Sequence, residues 1–348
     1  NTTVNRSSPT LVPGTTSWSF ISGNSDRTGA IDTLGRCWIW GQTNAVGDGA
    51  GNATILSRSS PVLVSGTNSF TQIAAGSSHW VALATTGAVY GWGYNAFGQL
   101  GINTNTNRST PTIIPGAESW SAVGAGNMNS YFVRTTGGAL YAAGNAALNT
   151  YQTGDGSTVN RSSPVLVSGG FAYSTTVQPC LRGAVSGSEA VWALRTDGTI
   201  SAWGTNTWVS GRDDNLAQAA PTRLGITPAL YGQPGATRVP QDFKLRLQNT
   251  SYTQVTIGQS FGAAIDNLGK LWVWGANASG QLGTNDTIAR SSITQVAVGT
   301  SFTSVAANPL GLMAIDTLSR AVVMGNFASG SAVDASTTRS SPTILGSY

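Results

Sequence analysis

The feature that most narrows what this chain can fold into is a phrase it repeats. Residues 70–101 read FTQIAAGSSHWVALATTGAVYGWGYNAFGQLG, and residues 252–283 read YTQVTIGQSFGAAIDNLGKLWVWGANASGQLG. Self-similarity at a spacing of about 50 residues means one supersecondary unit copied and stacked. A residue that recurs at the same phase is therefore first a folding residue and only then a functional one. Six copies align on their marks: Trp40-Gly41, Trp92-Gly93, Ala143-Gly144, Trp203-Gly204, Trp274-Gly275 and Met324-Gly325.

Ahead of each mark lies an apolar run, a short turn and a second apolar run. In the second copy Val81-Ala82-Leu83 leads through Thr85-Thr86-Gly87 into Ala88-Val89-Tyr90. This pattern predicts a β-hairpin whose glycine supplies a left-handed conformation. The glycine recurs as Gly35, Gly87, Gly137, Gly198 and Gly269, and Ser319 replaces it in the last copy. Strain or a different turn is expected there. A second block, Arg-Ser-Ser/Thr-Pro with an apolar triplet, begins at Arg6, Arg58, Arg108, Arg161 and Arg339. Weaker forms occur at Ala220-Pro221 and Arg290-Ser291-Ser292. Its proline is expected at the first residue of a strand, outside the ladder. Each unit then holds about four short strands, the content of a propeller blade.

The phrase from Ile73 to Gly101 resembles the regulator-of-chromosome-condensation repeat almost position for position. The resemblance covers most of the chain and implies an all-β propeller, which in that family has seven blades. Nucleotide exchange, ubiquitin ligation and enzyme inhibition all occur on it, so the fold does not assign an activity. The units expected here span about 17–68, 69–118, 119–170, 171–224, 251–300 and 301–348, in one domain with an insertion at 225–250. Seven Arg-Ser-Ser-Pro-type blocks stand against six hairpin marks. Asn1 to Arg6 also matches Asn103 to Arg108, the middle of a repeat. The expectation is a seventh blade that is incomplete or supplied from outside these residues, with a closed ring of six and a spare strand as the alternative.

Charged residues make up only 9% of the chain, against roughly 25% in an ordinary soluble protein. Lys244 and Lys270 are the only lysines, so the surface must be largely Asn, Thr, Ser and Gly. Such a surface is common on secreted, cell-surface and virion proteins. No apolar run is long enough to span a membrane. The net charge of +4 does not argue for nucleic acid, because no Lys/Arg run accompanies it. Six of the arginines share the repeated phase and are expected to be hydrogen-bond donors between blades. Cys37 and Cys180 fall in the first and fourth units, nearly opposite on a ring, which excludes a disulfide between them.

Matches to chemical motifs are weak. Gly258-Gln259-Ser260-Phe261-Gly262 fits the nucleophile-elbow pattern, which needs a strand-turn-helix and a histidine. It is in phase with Gly76 to Trp80 inside a β unit, and the sole histidine, His79, is three units away. The residues equivalent to His79 are Arg27, Asn129, Phe261 and Gly311, so the phase builds no ring of metal ligands. Asp32, Asp266 and Asp316 precede hairpin turns, where a carboxylate caps its own backbone. Gly47 to Gly51 and Gly154 to Gly156 lack the acidic partners of a calcium loop. With Glu118 and Glu189 as the only glutamates, the acids and bases of hydrolysis or phosphoryl transfer are missing. No enzyme activity, metal or cofactor is expected.

Function is then expected where the repeat breaks, since insertions in repeat proteins often carry binding loops. The fourth unit is stretched between Phe171 and Trp203 and includes Gln178 to Gly183. The insertion 225–250 carries Tyr231 in a Pro/Gly-rich half, then Phe243, Lys244, Leu245 and Arg246 in an alternating half that reads as an extra strand. Trp208 lies off the tryptophan phase, and Phe97 lies in a loop after a mark. Exposed aromatic residues of this kind serve as contact hot spots. The candidate protein-contact residues are Trp208, Tyr231, Phe243, Lys244, Arg246 and Phe97. The reading is a non-catalytic structural or interaction propeller, extracellular or on a virion surface, most simply a phage virion or extracellular assembly component. Its partners are proteins or neighbouring subunits, with no nucleic acid and no membrane span. The alternative is a secreted inhibitor or regulatory binding protein of the same propeller family, an exchange factor fitting less well.

Overall fold

The computed structural model describes residues 12, 17–23, 27–41, 58–66, 68–116, 119–146, 152–175, 180–183, 189–204, 218–223, 251–258, 260–296, 299–307, 310–326 and 339–344. These form six four-stranded antiparallel meanders. Blade 1 is β1 (Trp18–Gly23), β2 (Arg27–Asp32), β3 (Cys37–Gly41) and β4 (Arg58–Leu63). Blade 2 is β5 (Phe70–Ala75), β6 (His79–Ala84), β7 (Val89–Gly93) and β8 (Arg108–Ile113), and blade 3 is β9 (Trp120–Ala125), β10 (Asn129–Arg134), β11 (Leu140–Gly144) and β12 (Arg161–Leu166). Blade 4 is β13 (Cys180–Gly183), β14 (Glu189–Leu194), β15 (Ile200–Gly204) and β16 (Gln218–Arg223). Blade 5 is β17 (Tyr252–Ile257), β18 (Phe261–Asp266), β19 (Leu271–Gly275) and β20 (Arg290–Gln295). Blade 6 is β21 (Phe302–Ala307), β22 (Gly311–Asp316), β23 (Ala321–Gly325) and β24 (Arg339–Ile344). The fold is an all-β propeller of the type the repeat phrase implies.

The core lies between blades, because each sheet is apolar on both faces. Ile31, Cys37 and Ile39 of blade 1 pack on Ile73, Trp80 and Trp92 of blade 2. The same positions recur at the junction of blades 5 and 6, where Ile265, Leu271 and Val273 meet Leu312, Ala314 and Met324. Trp92, Trp203 and Trp274 are buried at these junctions, and so are Ala143 and Met324, which replace tryptophan. Five such clusters join the six blades in succession among the described residues. Blade 1 ends the series on its other side: Ile21 is 66% exposed, whereas its equivalents Ile73 and Val123 are fully buried.

Two expectations need correction, and one that left two alternatives is decided. First, the proline of the Arg-Ser-Ser-Pro block is the fourth residue of its strand, not the first: β4 begins at Arg58 and contains Pro61. The pairing with β3 slips there, between Ile39↔Val62 and Gly41↔Arg58. A bulge on the outer edge strand accommodates a residue without an N–H. Second, Ser319 keeps the turn of the glycine copies rather than adopting another: its N–H donates to Asp316 O as Gly35 N–H does to Asp32 O. It does so at φ 60°, so strain alone is present. Third, Cys180 to Gly183 does not break the fourth unit; it is the innermost strand of blade 4. Tyr173 bridges Arg195 just as Phe70 pairs with Ala84. The additional residues divide between the stretch from Tyr173 to β13 and the β13–β14 hairpin.

Candidate protein-interaction surface

The meander sorts the connections onto two faces. One face carries the hairpins between first and second strands and the long loops between third and fourth strands. The opposite face carries the tight turns between second and third strands and the links to the next blade. Trp208 falls in sequence between β15 and β16. The insertion 225–250 joins β16 to β17 and is anchored on the second face. Trp208, Tyr231, Phe243, Lys244 and Arg246 themselves lie outside the described residues.

Phe97 is described, in the β7–β8 loop on the first face. It is half-buried, edge-on to Tyr94 at 6.3 Å between ring centroids. The loop beneath it is held by side-chain hydrogen bonds to its own backbone. Buried Asn95 accepts from Leu100 N–H at 2.9 Å and donates to Thr104 O at 2.7 Å and Thr106 O at 3.1 Å. Gln99 Oε1 accepts from Phe97 N–H at 3.1 Å. Asn103 N–H then donates to Ser162 O of blade 3 at 2.7 Å. At Gly98 (φ 80°) an added Cβ would stand 2.5 Å from Ser162 Cα. The recurring Gly-Gln-Leu-Gly is thus a clamp on the next blade's outer strand. Asn277, Gln281 and Gly280 repeat it against Ser340.

The polar residues with chemical potential are absorbed by similar structural work. His79 is buried, and its Nε2 lies 3.2 Å from Asn129 O and 3.1 Å from Ser130 Oγ, both in blade 3. Ser130 Oγ itself donates to Gln99 O at 2.6 Å. The network therefore assigns the imidazole proton to Nε2. Burial, with a smaller contribution from the Arg27 charge, depresses the His79 pKa to about 3. Register places Arg27, Asn129, Phe261 and Gly311 at its phase, opposite Gly41, Gly144, Gly275 and Gly325. Ser260 of the elbow-like sequence sits in a β-hairpin, with its carbonyl accepting from Ala276 N–H.

Asp32 caps its turn as expected. Its Oδ1 accepts from the N–H groups of Leu34 and Arg36, and its Oδ2 from Arg36 Nε at 2.7 Å and Trp38 Nε1 at 3.0 Å. Burial raises its pKa, but the donors of Trp38 and Arg36 outweigh that and hold it below the usual carboxylate range. Asp266 and Asp316 repeat the cap, Asp266 with Trp272 and Asp316 with Arg320.

Sequence reasoning assigned the repeated arginines to the gaps between blades. At Arg161 and Arg290 the partners are instead Asp155 and Asp286, both 2.6 Å away and within the same blade. Two glutamines at one phase also bridge neighbouring blades. Gln72 donates to Ser121 O at 3.3 Å and accepts from Val123 N–H at 3.2 Å. Gln254 makes the same pair of bonds with Thr303 and Val305. A Thr-Gln-Ile/Val triplet at one phase, residues 71–73 and 253–255, marks them in the sequence.

Among the described residues no group of three His, Cys, Asp or Glu side chains could hold a metal ion. No helix there is long and apolar enough to cross a membrane. Cys37 is a buried free thiol whose pKa burial pushes far upward.

Comparison with known proteins agrees with this architecture. Two models of the regulator of chromosome condensation (RCC1) repeat match residues 86–133 and 70–99. The chain is 28% identical over 221 residues to the ultraviolet-B receptor UVR8 of Arabidopsis thaliana, covering 63% of this chain and 44% of that protein. It is 27% identical over 258 residues to the mitochondrial RCC1 domain-containing protein RUG3 of the same plant, covering 72% of this chain and 52% of that one. It thus spans about half the length of these relatives. Yeast RCC1 (Prp20), seen bound to Kap60, superposes with a TM-score of 0.72 at 17% identity over 95% of this chain and 75% of its own. Human WBSCR16 gives a TM-score of 0.62 at 21% identity over 84% of this chain and 70% of its own. Residues 70–133 thus match RCC1 repeats, and the blades and their inter-blade clamps give the chain the fold of the RCC1-type propellers.

Proposed function

We propose that this propeller is a non-catalytic binding scaffold on an exposed assembly, most simply a component of a phage virion or of an extracellular assembly. The observation that carries the reading is the fate of its polar residues. His79, Asp32, Asp155, Asp266, Asp286 and Asp316 are each committed to a turn, a loop or a blade junction. The scarcity of charge and the two lysines support it, since the centres of protein interfaces are depleted in charged residues. Proteins or neighbouring subunits are the partners, and the insertion 225–250, with Tyr231, Phe243, Lys244 and Arg246, is the principal contact. Replacing 225–250 by a short Gly-Ser turn tests this, because shortening a link perturbs a ring little. The expected product is a folded propeller that no longer assembles; normal assembly would place the contact elsewhere.

A regulatory or inhibitory binding protein is the second reading. It is favoured by the similarity to a receptor, UVR8, and to a propeller seen with a protein partner, Prp20 with Kap60. The two readings differ in stoichiometry: an assembly component recurs in fixed copy number on a particle, and a regulator binds one soluble target.

A further inference from the structure

The junctions between blades share one construction, and blade 1 carries half of such a junction without the other half. Blade 2 turns Phe70, Ile73, Trp80, Ala82 and Trp92 toward blade 1. In blade 1 the same phases hold Trp18, Ile21, Thr28, Ala30 and Trp40. Register makes these one surface: Ile21 lies opposite Ala30, Ala30 opposite Trp38, and Thr28 opposite Trp40. Trp18 joins Trp38 and Trp40, with ring centroids 6.2 and 6.0 Å away. Phe70, Ile73 and Trp92 are buried, as are Trp203 and Trp274 at the phase of Trp40. Ile21, by contrast, is exposed, and Trp18, Trp38 and Trp40 are only half-buried. A contiguous apolar face of this kind marks an interaction site.

Backbone and spacing say what the face receives. The heads of the next five blades, Phe70, Trp120, Tyr173, Tyr252 and Phe302, each donate their N–H to a turn glycine carbonyl of the blade before: Gly35, Gly87, Gly138, Gly198 and Gly269. Trp18 stands at that phase, and no turn of a preceding blade lies among the described residues. Just past the outer strands of blades 1, 2, 3 and 5 come buried Val64, Ile114, Val167 and Val296. Each N–H donates at 2.9 Å to the first residue of its own blade's third strand: Cys37, Val89, Leu140 and Leu271. Each also stands six residues after the block's arginine and six before the next blade's head. Val12 keeps both spacings, from Arg6 and to Trp18, yet it is half-buried. By phase, Arg6 to Leu11 therefore carries the outer-strand block of one more blade. The first three strands of such a blade are absent among the described residues.

We propose that this face of blade 1, with Val12 and the block Arg6 to Leu11, receives a three-stranded antiparallel sheet from a neighbouring polypeptide. The junctions already filled set the chemistry of the occupant. They cover the equivalent face with apolar residues of second and third strands, such as Ile31, Cys37 and Ile39 or Ile265, Leu271 and Val273. The partner segment therefore alternates aliphatic side chains in its second and third strands. It offers a turn carbonyl to Trp18 N–H and pairs its third strand with residues 6–11, a form of strand addition. The inference rests on the binding-scaffold reading, which places a neighbour beside the propeller.

The probe is a synthetic peptide of residues 251–276, whose strands β17–β19 present Ile265, Leu271 and Val273 in this way. Mixed with the full chain and followed by the anisotropy of a fluorescein label, it should bind. Hydrogen exchange should slow at the Val12 and Trp18 amides, which adsorption elsewhere would leave unchanged. Ile21→Asp should weaken binding roughly tenfold or more with unchanged circular dichroism, because it sets a carboxylate in an apolar junction. Ile265→Asp in the peptide should act alike. Absence of binding, indifference to Ile21→Asp, or unprotected Val12 and Trp18 amides would each overturn the proposal. Three other results would overturn it by reassigning the face. Protection of both amides in the isolated monomer would mean that the chain closes the face itself. Ile21-dependent dimers of the full chain in sedimentation would make the occupant a second copy. Ile21-dependent adsorption to phosphatidylcholine vesicles without peptide binding would make it a membrane. The Gly-Ser replacement of 225–250 leaves this face in place. Assembly lost with peptide binding retained would uphold both proposals, and assembly lost with no peptide binding would sink only this one.

Discussion

Lowering the pH from 7 to 5 should weaken this protein through one residue. His79 is the only histidine, and its imidazole is fully buried between blades 2 and 3. An unfolded histidine takes up a proton near pH 6.5, whereas burial keeps the folded His79 neutral down to about pH 3. The sign follows from linkage. Above pH 6.5 the ring is neutral in both states and contributes no slope. As pH falls below 6.5 the unfolded state binds a proton that the folded state refuses, so stability falls until the folded pKa is reached. The slope approaches 1.36 kcal/mol per pH unit, or about 2 kcal/mol between pH 7 and 5. The depressed aspartates act lower: Asp32, Asp155, Asp286 and Asp316 lose their contributions only as pH falls through and below the ordinary carboxylate range. The window between pH 6.5 and 4.5 therefore isolates His79. Urea unfolding at pH 7 and pH 5 should show the loss in the parent chain and little of it in His79→Asn, which places at this phase the residue blade 3 already uses. Equal acid sensitivity in both proteins would refute the assignment of a buried neutral imidazole.

Ser319→Gly should raise stability by about 0.5–1 kcal/mol, because it relieves a side chain held at φ 60° while retaining the turn; thermal melting measures it. Gln72→Ala should cost about 1–3 kcal/mol by leaving Ser121 O and Val123 N–H without their bonds across the junction. Gln254→Ala should behave alike, and a change below about 0.5 kcal/mol in both would show that the glutamines do not bolt the blades.

Much of this architecture is legible in the sequence because propeller blades use short-range rules. The hairpin turns, the phase of His79 and the capping role of Asp32, Asp266 and Asp316 all follow from residues within ten positions of one another. The misplaced strand start at Pro61 arose because an edge-strand bulge tolerates proline as well as a strand terminus does. The arginine partners were misassigned because a donor at a repeated phase suits a neighbour in either direction. Asp155 and Asp286, six and four residues upstream, were the nearer choice. The stretched fourth unit looked like a break because additional residues separate β13 from Tyr173 on one side and from β14 on the other. Of the candidate contact residues only Phe97 is described, and it rests on an inter-blade clamp that the Gly-Gln-Leu-Gly repeat encodes.

The central claim is that this propeller binds rather than catalyses and is built into an assembly. Quantitative mass spectrometry of the native source, fractionated into particles and soluble medium, tests it most directly. The account predicts that the chain is recovered on particles in a fixed, repeating copy number, cross-linked to neighbouring subunits through residues 225–250. Recovery in the soluble fraction in a one-to-one complex with a single target would contradict the assembly role and establish the regulatory reading in its place.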